Sequence, residues 1–228
     1  MIAIITARGG SKRIPRKNIK NFMGKPMLAY AIEAALKSGI FEEVMVSTDD
    51  KEIAEVAIKY GANVPFMRSA KTASDTATTF DVIDEVINEY KKLGKNFESL
   101  CCIYPCVPFL KAETLRDAYT KMQEGNFDAI MPVCKYSVPI EWAMKIENNL
   151  LVPFDREKQN MRSQDLEPKY FDVGMFYFCK TEKLYQHKSL VPNNTAAYIL
   201  DEKECQDIDN ETDWQLAELK YKIIHNEK

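Results

Sequence analysis

The stretch Ile2-Ala3-Ile4-Ile5-Thr6-Ala7-Arg8-Gly9-Gly10-Ser11-Lys12-Arg13-Ile14-Pro15-Arg16-Lys17-Asn18 changes character at Ala7. Ile2 to Thr6 is a short apolar, β-branched run, the pattern of a strand buried on both faces. Glycines and cations follow at once. In open α/β sheets ligands bind beyond the carboxyl ends of the strands, where this loop must lie. Gly9 and Gly10 let the backbone come close to a phosphate and turn N–H groups toward its oxygens. Lys12 and Lys17 add point charge, Arg8 adds a fork of donors, and Ser11 a hydroxyl. The spacing is neither GxxxxGK[ST] nor GxGxxG, so neither of those phosphate loops is present. The competing reading is a basic surface loop that merely ends a strand. Like charges crowded this closely repel unless an anion offsets them, which favours the phosphate reading.

Outward from this loop the chain alternates. Pro26 presets the first turn of a helix whose apolar positions are Met27, Leu28, Ala31, Ile32, Ala35 and Leu36, with Gly39 closing it. Val44 to Ser47 reads as a strand, Thr48-Asp49-Asp50 as the cap of a helix running to Tyr60-Gly61, and Val64-Pro65-Phe66 as a short third strand. Val82, Ile83, Val86, Ile87 and Tyr90 mark another helix. Leu100 to Tyr104 is a strand, Ala112 to Met122 a helix and Ala129 to Val133 a strand. The rhythm predicts a mainly parallel sheet wrapped by helices. It breaks between residues 135 and 172, where Pro139, Pro153 and Pro168 punctuate extended pieces that include Trp142 and Phe154. This segment reads as an arm inserted in a single domain spanning 1–228, and as a dimer contact. Alternation resumes at Val173 to Cys179, with a closing helix from Asp213 to Ile224.

Bulk composition narrows the function. The 228 residues carry 31 Lys+Arg against 34 Asp+Glu, a net charge of −3. That balance, without aromatics interleaved among the cations, argues against nucleic-acid binding. The charge is unevenly placed: Arg8, Lys12, Arg13, Arg16, Lys17, Lys20 and Lys25 all precede the first acid, Glu33. Such a cluster concentrates positive potential for a small anionic guest. The apolar run at Ile2 to Ile5 is too short for a secretory or membrane segment, so no membrane association is expected. Cys101, Cys102, Cys106, Cys134, Cys179 and Cys205 form no CxxC pair and no zinc set, and read as reduced, mostly buried thiols of a cytoplasmic protein.

Two further features carry chemistry. Gln206-Asp207-Ile208-Asp209 precedes the last helix. On an extended segment Asp207 and Asp209 face the same way, roughly 6–7 Å apart, and can reach one hydrated metal ion. Magnesium takes one or two carboxylates plus waters and phosphates, which suits the pair. The alternative is that Asp209 caps the helix, with Asn210 and Asp213 solvating its first turn. The companion phosphate loop tips the balance toward metal, because phosphoryl chemistry needs both parts. The segment from Arg68 to Thr79 is a polar loop of small residues able to present hydroxyls and backbone groups to a base and ribose.

Taken together, Thr6-Ala7-Arg8-Gly9-Gly10-Ser11-Lys12 through Lys17-Asn18, Val46-Ser47-Thr48-Asp49, Arg68, Ala73-Ser74-Asp75-Thr76-Ala77 and Asp207-Ile208-Asp209 resemble the motifs of the CMP–sugar-acid synthetases, the cytidylyltransferases for sialic-type acids. The resemblance spans nearly the whole chain. Tyr104-Pro105-Cys106-Val107-Pro108-Phe109-Leu110 and Arg162-Ser163-Gln164-Asp165-Leu166 are most similar to the pseudaminic acid branch. It implies a three-layer α/β/α, Rossmann-like fold of the nucleotide-diphospho-sugar transferase type, with a mixed, mainly parallel sheet and a small extended dimerisation arm. It implies transfer of CMP from CTP to a sugar acid, with Mg2+ as cofactor and a homodimer as the assembly, supplying an activated sugar for surface glycan or flagellin glycosylation. It further implies Arg8, Ser11, Lys12 and Lys17 on the triphosphate, and Asn18 on the ribose. Arg68, the Ala77 backbone and Thr79 would frame the nucleoside, and Asp207 and Asp209 would hold the metal. Tyr104, Arg162, Gln164 and Tyr177 would line the sugar side, with Arg162 the candidate for the carboxylate. Two departures matter. Tyr104 stands where sialic acid enzymes of the family carry Gln, which argues against N-acetylneuraminic acid. Cys106 stands where the octulosonate enzymes carry an Asp metal ligand. Other sialic-type acids, legionaminic acid included, remain the alternative substrates, and a non-catalytic CTP-binding regulator is the alternative from another class. The chain has two histidines, His187 and His225, and no general base is assigned.

Overall fold

The computed structural model describes residues 1–225. β1 (Ile2–Thr6) leads through the basic loop to a two-residue pair, β2 (Asn21–Phe22) and β3 (Lys25–Pro26), and then α1 (Met27–Ser38). β4 (Glu43–Ser47), α2 (Lys51–Lys59), α3 (Thr79–Lys92), β5 (Ser99–Ile103), α4 (Ala112–Glu124) and β6 (Ala129–Lys135) follow. The arm contributes β7 (Met144–Glu147) and β8 (Leu150–Pro153), and the chain returns through β9 (Tyr170–Asp172), β10 (Phe176–Lys180), α5 (Thr181–His187), β11 (Thr195–Ile199) and α6 (Glu211–His225). α1 ends as its sequence requires: Gly39 takes a left-handed φ of 69° and donates back to Leu36.

The main sheet has the order β11-β6-β10-β5-β1-β4, with β9 also paired to β6. β1 lies parallel to β4 and β5, and β11 parallel to β6. β10 runs antiparallel between β5 and β6, and β9 antiparallel to β6. Alternate residues of β1 supply the two faces. Ala3 and Ile5 pack with α1, α2 and α4 through Leu28, Ile32, Ile53 and Leu115. Ile2 and Ile4 pack with α3 and α5 through Ile83, Ile87 and Leu184. The result is the expected three-layer α/β/α fold. A third apolar cluster, Ile14, Phe22, Tyr30, Phe109, Ile208 and Trp214, ties the basic loop to α6.

One strand read from the sequence is absent, and two elements were not read at all. Val64–Phe66 is no strand: Asn63 makes a lone bridge to Met45, and Pro65 has no N–H to continue a ladder. The strand read as Val173 to Cys179 is β10 and runs against its neighbours, so the sheet is mixed at this point. α5 and β11 were not anticipated, because each is short and flanked by polar residues. Five cysteines are buried and Cys106 is half-buried, and all six are free thiols. Among the described residues no helix is long and apolar enough to cross a membrane.

Candidate active site

The basic loop leaves the carboxyl end of β1 and is held from below by acids of the next strand–helix junction. Gly9 N–H donates to Asp49 Oδ1 at 2.9 Å. Arg16 adopts a left-handed conformation (φ 54°) and forks onto Asp50 at 2.5 and 3.0 Å. Asp50 also accepts from Ile53 N–H at 3.0 Å and so caps α2. The Arg16 hydrogen bond, ahead of the other influences, holds the Asp50 carboxyl at about 2. Gly9 is required here: a Cβ at that position would lie 2.8 Å from Asp50 Oδ2. Asn18 is buried, and its amide donates to Arg8 O at 2.9 Å while its Oδ1 accepts from Cys106 Sγ at 3.3 Å. Burial pushes the Cys106 thiol up to about 12, so it is a neutral neighbour rather than a thiolate ligand.

The other end of the chain closes on this loop. Arg13 Nη2 meets Asp209 Oδ1 at 2.7 Å, Lys17 Nζ donates to Ile208 O at 2.6 Å and lies 3.9 Å from Asp209, and Lys20 pairs with Glu211 at 2.9 Å. Ile208 is buried, so Asp207 and Asp209 flank it on the opposite face, as strand alternation predicts. Helix capping does not account for Asp209. Asn210 Oδ1 accepts from Asp213 N–H at 3.1 Å, and Asp213 Oδ2 accepts from the N–H groups of Asp209 and Asn210. The Asp209 carboxylate is left to the cations. Desolvation first, and then the Asp209 charge, push Asp207 above the usual carboxylate range.

Three cavities adjoin. Thr6, Arg8, Ser11, Lys12, Arg13, Lys17, Asn18, Pro105 and Asp209 line one of about 380 Å3. A second, of about 290 Å3, shares Thr6, Arg8 and Pro105 with it and adds Arg68, Ala77, Thr79 and Tyr104. Arg68 is buried, donating to Ser47 Oγ at 3.0 Å and Ser47 O at 2.7 Å, and desolvation lowers its pKa. Tyr104 continues into a third cavity of about 600 Å3, together with Asp172, Tyr177, Gln206, Asp207 and Lys220. Arg8 and Lys12 both donate to Asp75, at 2.6 Å each, so this carboxylate occupies the cations of the first cavity.

The structure therefore brings together Arg8, Ser11, Lys12, Lys17, Asn18 and Asp209, with Arg68, Ala77, Thr79 and Tyr104 beside them and Asp207 and Tyr177 beyond. It does not bring Arg162 or Gln164 to the site within this chain. Both are exposed on the arm; Arg162 pairs with Asp165 at 2.9 Å, and Gln164 lines a separate small cavity with Tyr136 and Pro168. Sequence reading missed Asp49 and Asp50 as anchors of the loop. It also missed Asp172, whose place beside Tyr177 follows from β9 and β10 rather than from any local motif. A further cavity of about 410 Å3 between α1, α4 and α6 holds Lys25, Lys37, Lys111 and Arg116, but Glu33, Glu204 and Glu113 pair with them, and little unbalanced charge is offered there.

A phosphate-type loop at the carboxyl end of a strand in a mainly parallel sheet, facing the carboxylate of Asp209 across one cavity, defines a nucleotide-handling α/β protein. Residues 2–213 match the cytidylyltransferase family, and the chain belongs to it. It is 38% identical over 225 residues to the pseudaminic acid cytidylyltransferase of Campylobacter jejuni subsp. jejuni serotype O:2, covering 98% of this chain and 97% of that one. It is 34% identical to the CMP-N,N'-diacetyllegionaminic acid synthase of Legionella pneumophila, covering 96% and 94%. In fold it is similar to a CMP:2-keto-3-deoxy-manno-octonic acid synthetase solved with CTP, at TM-score 0.71, 17% identity and coverage of 99% and 98%.

Proposed function

We propose that this chain transfers CMP from CTP to the anomeric hydroxyl of pseudaminic acid, releasing pyrophosphate. The observation that carries this reading is the convergence of the opening cations and the late carboxylate Asp209 on one cavity, with Asp207 lining the third cavity on the sugar side. The sugar hydroxyl attacks the α-phosphorus in line. The new bond is from sugar oxygen to phosphorus, the bridge to the β-phosphate breaks, and the hydroxyl proton is lost to water. Arg8, Lys12 and Lys17 balance the charge that gathers on the leaving pyrophosphate. Ser11 and the loop backbone add donors, and Arg68, the Ala77 backbone and Thr79 frame the nucleoside. Asn18 would serve the ribose, and its amide donates to Arg8 O.

Asp207 and Asp209 suit magnesium. Desolvation first, and then the Asp209 charge, raise Asp207, and a cation would relieve both by balancing the negative charge. No group of three or more His, Cys, Asp or Glu gathers among the described residues, so the remaining positions would go to phosphate oxygens and water. When bound, magnesium supplies charge neutralisation at the phosphates. The arm supports a homodimer. Its hairpin of β7 and β8 exposes Met144, Ile146, Leu150 and Leu151, with Phe154 beside them, and a second copy of the arm would cover this apolar face. Arg162 and Gln164, also on the arm, would then reach sugar only from across such a pairing. The free, buried thiols fit a cytoplasmic setting.

The test is pyrophosphate release with CTP, magnesium and a panel of sugar acids: pseudaminic, N,N'-diacetyllegionaminic and N-acetylneuraminic. Turnover highest with pseudaminic acid is expected. CTP binding without pyrophosphate from any acid would leave only a nucleotide-binding regulator.

A further inference from the structure

We infer that Asp172 is a sugar-recognition residue, a fixed carboxylate acceptor that takes an acylamido N–H of the sugar acid and turns its carboxylate away. This rests on the reading that the cavity beside Tyr104 receives the sugar.

Asp172 ends β9 and faces that cavity. Its two oxygens are held by different neighbours: Oδ1 accepts from Gly174 N–H at 2.8 Å, and Oδ2 from the Tyr177 hydroxyl at 2.7 Å. Both donors are neutral. No cation pairs with Asp172 among the described residues, whereas Arg8, Lys12, Arg13 and Arg16 of the neighbouring loop are all matched by acids. A carboxylate oxygen has lone pairs for more than one donor, so Asp172 keeps acceptor capacity for a guest.

Tyr177 offers only a neutral phenolic oxygen as acceptor, weaker than the carboxylate. It is buried, its hydroxyl proton is committed to Asp172, and burial together with the adjacent carboxylate pushes its pKa up. It packs edge-on against Tyr104 at 5.5 Å between ring centroids, and Tyr104 OH lies 3.2 Å from Thr79 Oγ1 of the nucleoside cavity. Tyr104 lines both the second and the third cavity, and Asp172 lines the third beside Tyr177, with Glu202, Gln206, Asp207 and Lys220 as its other polar groups. A sugar acid carries one anion and, in the diacylamido acids, two amide N–H donors. Near an unneutralised carboxylate the anion is repelled and the N–H attracted; Glu202 and Asp207 line the same cavity and add to the repulsion, while Asp172, held by Gly174 and Tyr177, supplies the fixed acceptor for the N–H. Lys220, whose ammonium donates to Glu202 O at 3.3 Å and Cys205 O at 2.7 Å, is the only cation lining this cavity among the described residues and marks a place for the guest's anion.

The experiment is steady-state kinetics of the full chain and of Asp172→Asn and Asp172→Ala, with CTP, magnesium and pseudaminic acid. Asparagine keeps the size and an acceptor for Gly174 but loses the charge. Loss of a charged hydrogen bond to substrate should raise the KM for the sugar acid about tenfold or more in both variants, with the KM for CTP within about twofold of wild type. An unchanged sugar KM in both variants overturns the inference, and so does an equal rise in both KM values, which would place Asp172 in the fold rather than on the sugar. A wild-type chain that turns over none of the acids overturns the reading beneath it as well; normal wild-type turnover with indifferent variants overturns this inference alone.

Discussion

The half of the site proposed for the nucleotide and the half proposed for the sugar are built in opposite ways. The first is dense with charge: Arg8 and Lys12 share Asp75, Arg13 takes Asp209, and Arg16 takes Asp50. Most of its residues come from two segments, the loop that directly follows β1 and the loop between α2 and α3. The sugar half has a single cation among the described residues and is assembled from afar, with Tyr104 after β5, Asp172 on β9, Tyr177 on β10, Asp207 before α6 and Lys220 within it. The contrast follows from what each half must bind. A polyphosphate needs N–H groups and cations, which one glycine-containing loop at a strand end supplies. A sugar needs a few hydrogen bonds and ring faces at fixed separations, and only sheet register provides those. β10 places Tyr177 opposite Cys102, and the Tyr104 N–H donates to Met175 O at 3.0 Å, so the two tyrosines meet.

If the halves are separable, substitutions should sort by which substrate they affect. The largest effect is expected from Asp209→Ala, which touches both. As a proposed magnesium ligand, Asp209 should contribute about 4 kcal/mol of transition-state stabilisation, so pyrophosphate release should fall about a thousandfold while circular dichroism stays that of the wild type. Turnover at the wild-type rate would remove Asp209 from the metal. Next is Lys12→Ala. Its ammonium is exposed and its partner Asp75 is a surface group, so stability should hardly move. Loss of a charge-assisted phosphate contact should raise the KM for CTP about tenfold or more and leave that for the sugar acid alone. Gly9→Ala acts on the same half by crowding: the added Cβ meets Asp50, which cannot yield without releasing Arg16 or the α2 cap. A loss of about 1–3 kcal/mol in urea unfolding is expected, with CTP affinity weakened more than sugar affinity.

The same contrast explains what the sequence disclosed. β1, α1, β4, α2, α3, β5, α4 and β6 were readable because apolar periodicity and Gly or Asp punctuation agree locally. The loop 8–18 and Asp207–Asp209 were readable because their chemistry lies within a few residues. β9 and β11 were hidden in polar or mixed runs, and the antiparallel course of β10 depends on the preceding arm. Asp172 carries no local mark at all: a lone acid between Phe171 and Val173 becomes a site residue only when Tyr177 arrives five residues later from the adjoining strand. Arg162 and Gln164 show the converse. Their motif was legible, yet their backbone lies on the arm, and proximity in sequence to β9 does not carry them into the cavity.

The smallest expected effect tests whether charge itself holds the nucleotide half together. Asp50 is kept at about 2 chiefly by the Arg16 hydrogen bond, against an ordinary value of 3.8. Its folded pKa therefore lies below its unfolded one. The unfolded chain binds the proton more readily, so the contribution is complete above 3.8 and is lost as the pH falls toward about 2. Asp50→Asn keeps an oxygen to accept from Ile53 N–H but gives up the charge facing Arg16. Urea midpoints should then differ between wild type and variant at neutral pH, and the gap should close across that acid window as Asp50 in the wild type is protonated. A gap that stays constant as the pH falls would mean that the shape of the capped turn, rather than its charge, sustains the loop. In that case the division between an electrostatic half and a register-built half would no longer hold at the junction of β4 and α2.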